Sequence, residues 1–268
     1  MLLLFKFGFT LLSLVVLYFL VATRGTLVAN SLFSNDDKTS HIYWIYSNRF
    51  LIWLTDRTFI VSAILFFNYD RLVATVLKGL NPSMEGKLVL QASCAFGNVS
   101  QRIMEKCIHE KAGKVVIFDL ITNEIKHTKR KLKNVHADHN CSYLREDALA
   151  MSHRDGSFDY VVIFFLFHEL PYDKKIAALK ESMRVLKSGG KLIFAEFHKP
   201  GPWILKISGR CFFKLFEPYA LEMWEKFDAE MILGEDSNNR WQVTKKTFFG
   251  GNYQVFTAEK QSCSDPAD

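Results

Sequence analysis

Lys87-Leu88-Val89-Leu90-Gln91-Ala92-Ser93-Cys94-Ala95-Phe96-Gly97 is the stretch on which the fold turns. Leu88–Leu90 is a short apolar run that predicts a buried strand. A tight turn follows, and then Val99–Glu110 reads as a helix. A nucleotide-binding α/β domain keeps its glycine-rich loop at this junction of strand, turn and helix. Here Ser93 and Ala95 stand where two of three glycines are expected, and only Gly97 is kept. Gln91 stands where an acid usually closes the strand. The scaffold is legible and its chemistry is altered.

Outward from this stretch, strands and helices alternate. Lys114–Phe118, Cys141–Arg145, Tyr160–Phe165 and Lys191–Phe197 read as strands; Asn123–Lys133 and Tyr172–Leu186 read as helices, with Gly189-Gly190 as the C-terminal stop of the second. Continuous apolar strands such as Val161-Val162-Ile163-Phe164-Phe165 are buried on both faces, as in a parallel sheet. Trp203–Phe227 is helical and rich in Phe and Trp, and Trp241–Phe249 with Tyr253–Ala258 forms a hairpin around Gly250-Gly251. Parallel strands ending in an antiparallel hairpin predict a Rossmann-like α/β fold of the class I methyltransferase type over residues 83–260, rather than a dehydrogenase. No internal repeat is present.

The N-terminal part differs. Leu2–Ala22 is almost wholly apolar, with no acid before Asp36. About 20 such residues suffice to cross a bilayer as a helix, so residues 1–24 are expected to be an uncleaved anchor; a cleaved secretory signal is the rival reading. Lys6 and Arg24 flank it evenly and give no orientation. Residues 25–40 read as a linker, polar and rich in Asn, Asp and Ser from Asn30 to Ser40. Residues 41–82 hold two aromatic-rich helices, separated at Asp56-Arg57, that face substrate or membrane; 261–268 is a tail. Among 268 residues, 24 Phe and a net charge of +6 favour greasy and anionic partners. Five cysteines without a CxxC pair predict reduced thiols. The basic run Lys126–Lys133 reads as a solvated helix face or an anionic-lipid contact; with no aromatic platform interleaved, nucleic acid is not expected. His136-Ala137-Asp138-His139-Asn140-Cys141 has ligand-like residues without zinc spacing and reads as a polar loop.

In open parallel sheets, ligands sit at the carboxyl ends of the strands. The turn around Gln91, Cys94, Ala95 and Gly97 is one such end. Asp119 closes the second strand, where a carboxylate can take both ribose hydroxyls, and Asp147 is placed to accept from an adenine amino group. Each acid alone would read as a helix cap. In this order they point to S-adenosylmethionine (SAM), and the absent P-loop lysine argues against a triphosphate.

On these residues the chain resembles the rhodoquinone biosynthesis protein RquA family, which is built on the class I SAM-dependent methyltransferase fold. The resemblance is carried by Tyr43-Trp44-Ile45-Tyr46, by Ile64 through Leu72, by Gln91 through Gly97, and by Phe164-Phe165-Leu166-Phe167-His168-Glu169. Arg184-Val185-Leu186 with Gly189-Gly190-Lys191, Phe197-His198-Lys199-Pro200, and Leu215 through Leu221 extend it, so that it runs from Tyr43 to Trp224 and leaves the N-terminal anchor outside. It implies conversion of ubiquinone to rhodoquinone: a ring methoxy group is replaced by an amino group, SAM is the amino donor, and a divalent metal, manganese by preference, takes part. The substrate implies a membrane, the mitochondrial inner membrane in a eukaryote or the cytoplasmic membrane in a bacterium.

The residue chemistry is compatible with that. An acid near the loop holds the SAM amino group as an ammonium; neutral Gln91 removes that bias, unless it serves only to hydrogen-bond the turn. His168-Glu169 ends one strand, and Glu196 and His198 share a face of the next. These four can hold a hard divalent ion that polarises the quinone. Alternatively, His168 or His198, with Glu169 beside them, serves as acid or base, or both histidines close a sheet edge. Trp203, Phe212, Phe213, Phe216 and Trp224 read as an interfacial surface or as a layer packed on the sheet. Two other functions stay open: a SAM-dependent quinone or lipid methyltransferase, and a non-catalytic assembly factor suggested by the lost glycines.

Overall fold

The computed structural model describes residues 8–10, 13–14, 49–80, 83–135 and 141–261. Most of the expected anchor, the linker, the loop 136–140 and the tail beyond 261 lie outside the described residues. From residue 49 the described residues form three helices before the sheet: α1 (Arg49–Thr55), α2 (Thr58–Ile64) and α3 (Tyr69–Gly79). Sheet and helices then alternate as β1 (Leu88–Ala92), α4 (Val99–His109), β2 (Lys114–Asp119), α5 (Thr122–Leu132), β3 (Cys141–Arg145), β4 (Phe158–Phe164), α6 (Tyr172–Val185) and β5 (Leu186–Phe197). The chain closes with α7 (Trp203–Phe216), α8 (Pro218–Glu225), α9 (Ala229–Gly234), β6 (Arg240–Phe248) and β7 (Tyr253–Gln261).

The sheet order is β3-β2-β1-β4-β5-β7-β6. β3, β2, β1, β4 and β5 run parallel, and β7 is antiparallel to both β5 and β6. All the parallel strands therefore end on one edge. Val89, Leu90, Val161 and Val162 are wholly buried because helices cover both faces. One layer packs Leu72, Val76, Val99 and Ile103 on the sheet; the other packs Leu179, Met183, Met223 and Ile232. The expected α/β class and hairpin are observed.

Two expectations need correction. α6 stops at Val185, and Leu186 already belongs to β5. Gly189-Gly190 is not a helix stop: it lies inside β5, with Gly189 at φ +76°, where the register jumps from Phe158↔Leu186 to Tyr160↔Lys191. Second, the segment before the sheet folds as three described helices rather than two. The apolar run Phe59–Phe67 turns a corner at Phe66 and Phe67, both at positive φ, with no glycine or proline to announce it. The Asn68 amide holds the corner by donating to the Leu65 and Phe66 carbonyls at 3.3 and 2.8 Å. For Phe213 and Trp224 the reading as a layer packed on the sheet holds: they are 2% and 7% exposed, because they meet each other and the sheet.

Candidate active site

Gln91 is wholly buried on β1. Its amide nitrogen donates to the Ser93 carbonyl at 2.9 Å and to Ser100 Oγ at 2.7 Å, while its Oε1 has no hydrogen-bond partner. Asp119, at the end of β2, accepts from the Cys94 N–H (3.0 Å) on one oxygen and from the Ile121 N–H (2.8 Å) on the other. Burial raises its carboxyl to about 6 against those hydrogen bonds. Each oxygen keeps a lone pair for a ligand. Burial also pushes the Cys94 thiol well up, with Asp119 adding to it, so Cys94 is a neutral wall rather than a nucleophile. Asp147 follows β3 and closes a turn onto the Leu149 N–H at 2.9 Å; Glu146 N–H bonds the Asp119 carbonyl at 3.1 Å, which places the two acids on one edge.

The loop is braced by residues to which the sequence reading gave no role. Asp56, between α1 and α2, accepts from the Gly97 N–H at 2.6 Å and pairs with Lys131 Nζ at 2.9 Å and His127 Nε2 at 2.6 Å. Lys131 also donates to the carbonyls of Gly97 (2.8 Å) and Ala95 (3.2 Å). The Tyr69 hydroxyl accepts from the Val99 N–H at 2.8 Å and donates to the Phe96 carbonyl at 3.3 Å. Thus the Gly97 N–H and the Ala95 and Gly97 carbonyls are engaged by the protein itself. Gly97, at φ +78°, also leaves the space Tyr69 fills: a Cβ there would overlap the Tyr69 hydroxyl. Gly97→Ala is expected to lower stability by about 1–3 kcal/mol, read as a fall in Tm, because both the left-handed backbone and the overlap oppose it. Glu124, one turn into α5, is buried with an unpartnered Oε1, and its carboxyl is pushed well up by burial and then by Asp119.

His168 lies in a 3-10 turn (Phe167–Glu169) just past β4, at the same edge. Its Nδ1 is 3.0 Å from Glu196 Oε1 and its Nε2 is 3.4 Å from Glu217 Oε2 and 3.9 Å from Glu169 Oε1. Glu217, in the joint between α7 and α8, was no site candidate by sequence; its long range from His168 hid it. Burial alone would lower the imidazole, but Glu196 and then Glu217 outweigh it and raise His168 to about 9. Burial pushes Glu217 up, so the pair as a whole contributes less than the His168 shift implies. Phe165, Phe197 and Tyr253 wall the cluster, with Phe197 and Phe165 ring centroids 5.1 and 5.8 Å from that of His168. Lys175, wholly buried beneath, donates to the Leu170 and Tyr219 carbonyls, and burial lowers it to about 8.

The four-residue metal set does not assemble. His198 turns its Nδ1 to the Gly251 carbonyl at 2.7 Å, and Glu196 is taken up by His168 and by the Phe197 N–H at 2.8 Å. Among the described residues no group of three or more His, Cys, Asp or Glu could hold a metal ion. The donors do not fit manganese.

The His168 shift has a sign. Its folded value lies above the ordinary 6.5, so its stabilising contribution is complete below 6.5 and is lost as pH rises toward 9. Lys175 opposes this above about pH 8, since its depressed value favours the folded state as it deprotonates. Comparison with His168→Gln isolates the first effect: between pH 6.5 and 9 the native chain is expected to lose up to about 3 kcal/mol relative to the variant. Parallel Tm–pH curves for the two would contradict this.

A cavity of about 590 Å³ lies on the opposite edge of the sheet, lined by Asp155, Lys180, Arg184 and Asp236, away from the carboxyl ends of the parallel strands.

Comparison with known proteins agrees with this architecture. Over 155 residues the chain is 30% identical to a demethylmenaquinone methyltransferase of Staphylococcus saprophyticus, covering 58% of this chain and 63% of that one. Over 115 residues it is 31% identical to the ubiquinone/menaquinone biosynthesis C-methyltransferase UbiE of Cronobacter sakazakii, covering 43% and 44%. The chain thus spans less than two thirds of the length of these curated relatives. A SAM-dependent methyltransferase from Aquifex aeolicus shares the fold, with a TM-score of 0.55 at 19% identity over 79% of this chain and 98% of that one. A putative methyltransferase from Bacillus halodurans does so with a TM-score of 0.55 at 17% identity over 71% and 99%. Residues 55–239, most of the sheet and its helices, match the ubiE/COQ5 methyltransferase family, and the chain belongs to that family of class I SAM-dependent methyltransferases.

Proposed function

We propose that this chain is a SAM-using transferase acting on a quinone ring, and that it transfers nitrogen rather than methyl: it replaces a ring methoxy group of ubiquinone by an amino group to give rhodoquinone. The observation that carries the reading is Gln91. Its amide N–H groups are committed to the loop, and only its carbonyl oxygen is left without a partner. A carbonyl can accept a hydrogen bond from a neutral amine while leaving the nitrogen lone pair free; a carboxylate would favour the ammonium. Asp119 and Glu124 supply further acceptors for the hydroxyls and charge of SAM, and their orphaned or half-used oxygens suit such a ligand.

SAM supplies the nitrogen as co-substrate. That nitrogen's lone pair forms the ring C–N bond, and the methoxy oxygen leaves with the C–O electron pair and a proton as methanol. SAM, when bound, would leave its amino nitrogen on the ring: the C–N electron pair would stay on that nitrogen, the proton lost from the adjoining donor carbon would be made good on it, and the donor fragment would be left as an alkene. The chain's own part is to hold and move protons. In this reading His168, protonated at neutral pH between Glu196 and Glu217, gives a proton at Nε2. Phe165 and Phe197 offer flat faces for a planar ring beside it.

The second reading, methyl transfer to a quinone ring, is favoured by the names of the relatives. Mass spectrometry of quinones from a host expressing the chain separates the two. Exchange of methoxy for amino supports nitrogen transfer; a gain of one methyl group overturns it.

A further inference from the structure

At the carboxyl edge of the sheet, apolar side chains are exposed in one continuous run. Phe59 is 74% exposed, Phe66 60%, Phe67 68% and Trp203 72%. Phe59 lies 6.5 Å from Phe67 between ring centroids, and Phe66 stacks on Phe249 at 5.1 Å. Phe249 belongs to the β6–β7 turn, which the pairing Phe197↔Tyr253 brings to the end of β5. That turn meets the start of α7. Gly201 N–H donates to the Gly250 carbonyl at 2.8 Å, and a Cβ on Gly250 would touch Leu205 and Pro202. α7 continues the run with exposed Ile204 and Ile207.

The run is built, not incidental. Phe66, Phe67 and Phe249 sit at φ of 48°, 57° and 50°. Bulky residues adopt the left-handed region only where the surroundings impose it. Here the imposed backbone turns the rings outward into water, and a face of this kind marks an interaction surface. Charge identifies its partner. α7 carries Lys206, Arg210 and Lys214 and no acid; Lys199 and Lys246 adjoin the turn; the whole chain is at +6. α2 and α3 meet the composition of a membrane segment only as a pair, bent by 100° at the Phe66-Phe67 corner, and no single described helix is long and apolar enough to cross. α3 buries Tyr69, Leu72, Val73 and Val76 completely in the protein. The corner is therefore free to dip into a leaflet while the helix behind it stays in the core.

We propose that Phe59, Phe66, Phe67, Phe249, Trp203 and Ile207 form a docking face for an anionic bilayer, seated at the boundary of headgroups and acyl chains. The face opens on the same edge as His168, so a lipid-soluble substrate has a route to it. The docking does not depend on the reaction: a chain that inserts this face and transfers no nitrogen would leave the proposal standing and remove the proposed activity alone.

The test uses the full chain with Cys211→Ser and Cys263→Ser, carrying in turn Phe66→Cys, Ile207→Cys, Phe249→Cys and, as control, Met231→Cys. Met231 is exposed on α9, whose Ile232 lines the cavity on the opposite edge. Each cysteine bears an environment-sensitive fluorophore, and vesicles of phosphatidylcholine and phosphatidylglycerol carry a quencher on the upper acyl chain. Quenching at 66, 207 and 249 is expected to exceed that at 231 by at least about twofold, as rings about 5–10 Å into the interface require. Equal quenching at all sites overturns the proposal. So does shielding of 66, 207 and 249 from aqueous iodide without lipid quenching, which would mean that residues 1–48 or a second copy cover the face.

Discussion

Gln91→Glu is expected to depress amino transfer about 10-fold to 1,000-fold at saturating SAM. A carboxylate beside an amine raises its pKa by about 1–3 units, and each unit removes about nine tenths of the remaining free base. The substitution also removes the amide N–H groups that hold Ser93 O and Ser100 Oγ, so a loose turn could slow the reaction for a bland reason. The pH profile distinguishes the causes. A protonation defect is relieved as pH rises, and the variant's rate climbs toward that of the native enzyme; a loosened turn gives a loss that pH does not change. Unchanged turnover, or a loss flat in pH, would remove Gln91 from the mechanism.

Asp56→Ala is expected to cost about 3–5 kcal/mol of stability, a large share of the roughly 5–15 kcal/mol of an ordinary domain. Asp56 is 4% exposed and is the shared partner of Lys131, His127 and the Gly97 N–H. Its removal leaves a largely buried ammonium without its counter-charge and a loop N–H without its acceptor. Urea unfolding followed by tryptophan fluorescence measures the loss. Asp56→Leu with Lys131→Met removes both charges together and is expected to recover most of it, since an apolar pair of similar size is often as stable as a buried ion pair. A cost below about 1 kcal/mol for Asp56→Ala would mean that the strap between the N-terminal helices and the loop is not what holds the loop.

The fold was legible because its signals are local. Val-rich strands without alternation announced a sheet covered on both faces, and Gly250-Gly251 announced the final hairpin. Asp119 and Asp147 could be placed because strand ends in a parallel sheet share an edge. What could not be read is long-range or without punctuation. Asp56 lies 75 residues from Lys131 and 41 from Gly97, and nothing in a lone Asp-Arg between helices points to either. Glu217 was part of a recognised motif, yet its approach to His168 depends on how α7 packs. The Phe66-Phe67 corner carries no turn residue at all. The metal set failed for a different reason. The residues stand at two neighbouring strand ends, but the backbone of the β6–β7 turn takes His198, and Glu196 pairs with His168.

Gly97 shows how a retained residue can change its reason. In a loop that has lost two glycines, the third is kept where Tyr69 needs the room and Asp56 takes the N–H. The groups that contact the loop come from both sides of it in sequence: Asp56 and Tyr69 from before it, Asp119 and Lys131 from after it.

The most direct measurement supplies the purified full chain with SAM labelled with nitrogen-15 at its amino group, and with ubiquinone in vesicles. The account predicts that the label appears on the quinone ring, with methanol released in equal amount. An unlabelled ring, or a ring that has gained SAM's methyl carbon, would contradict it.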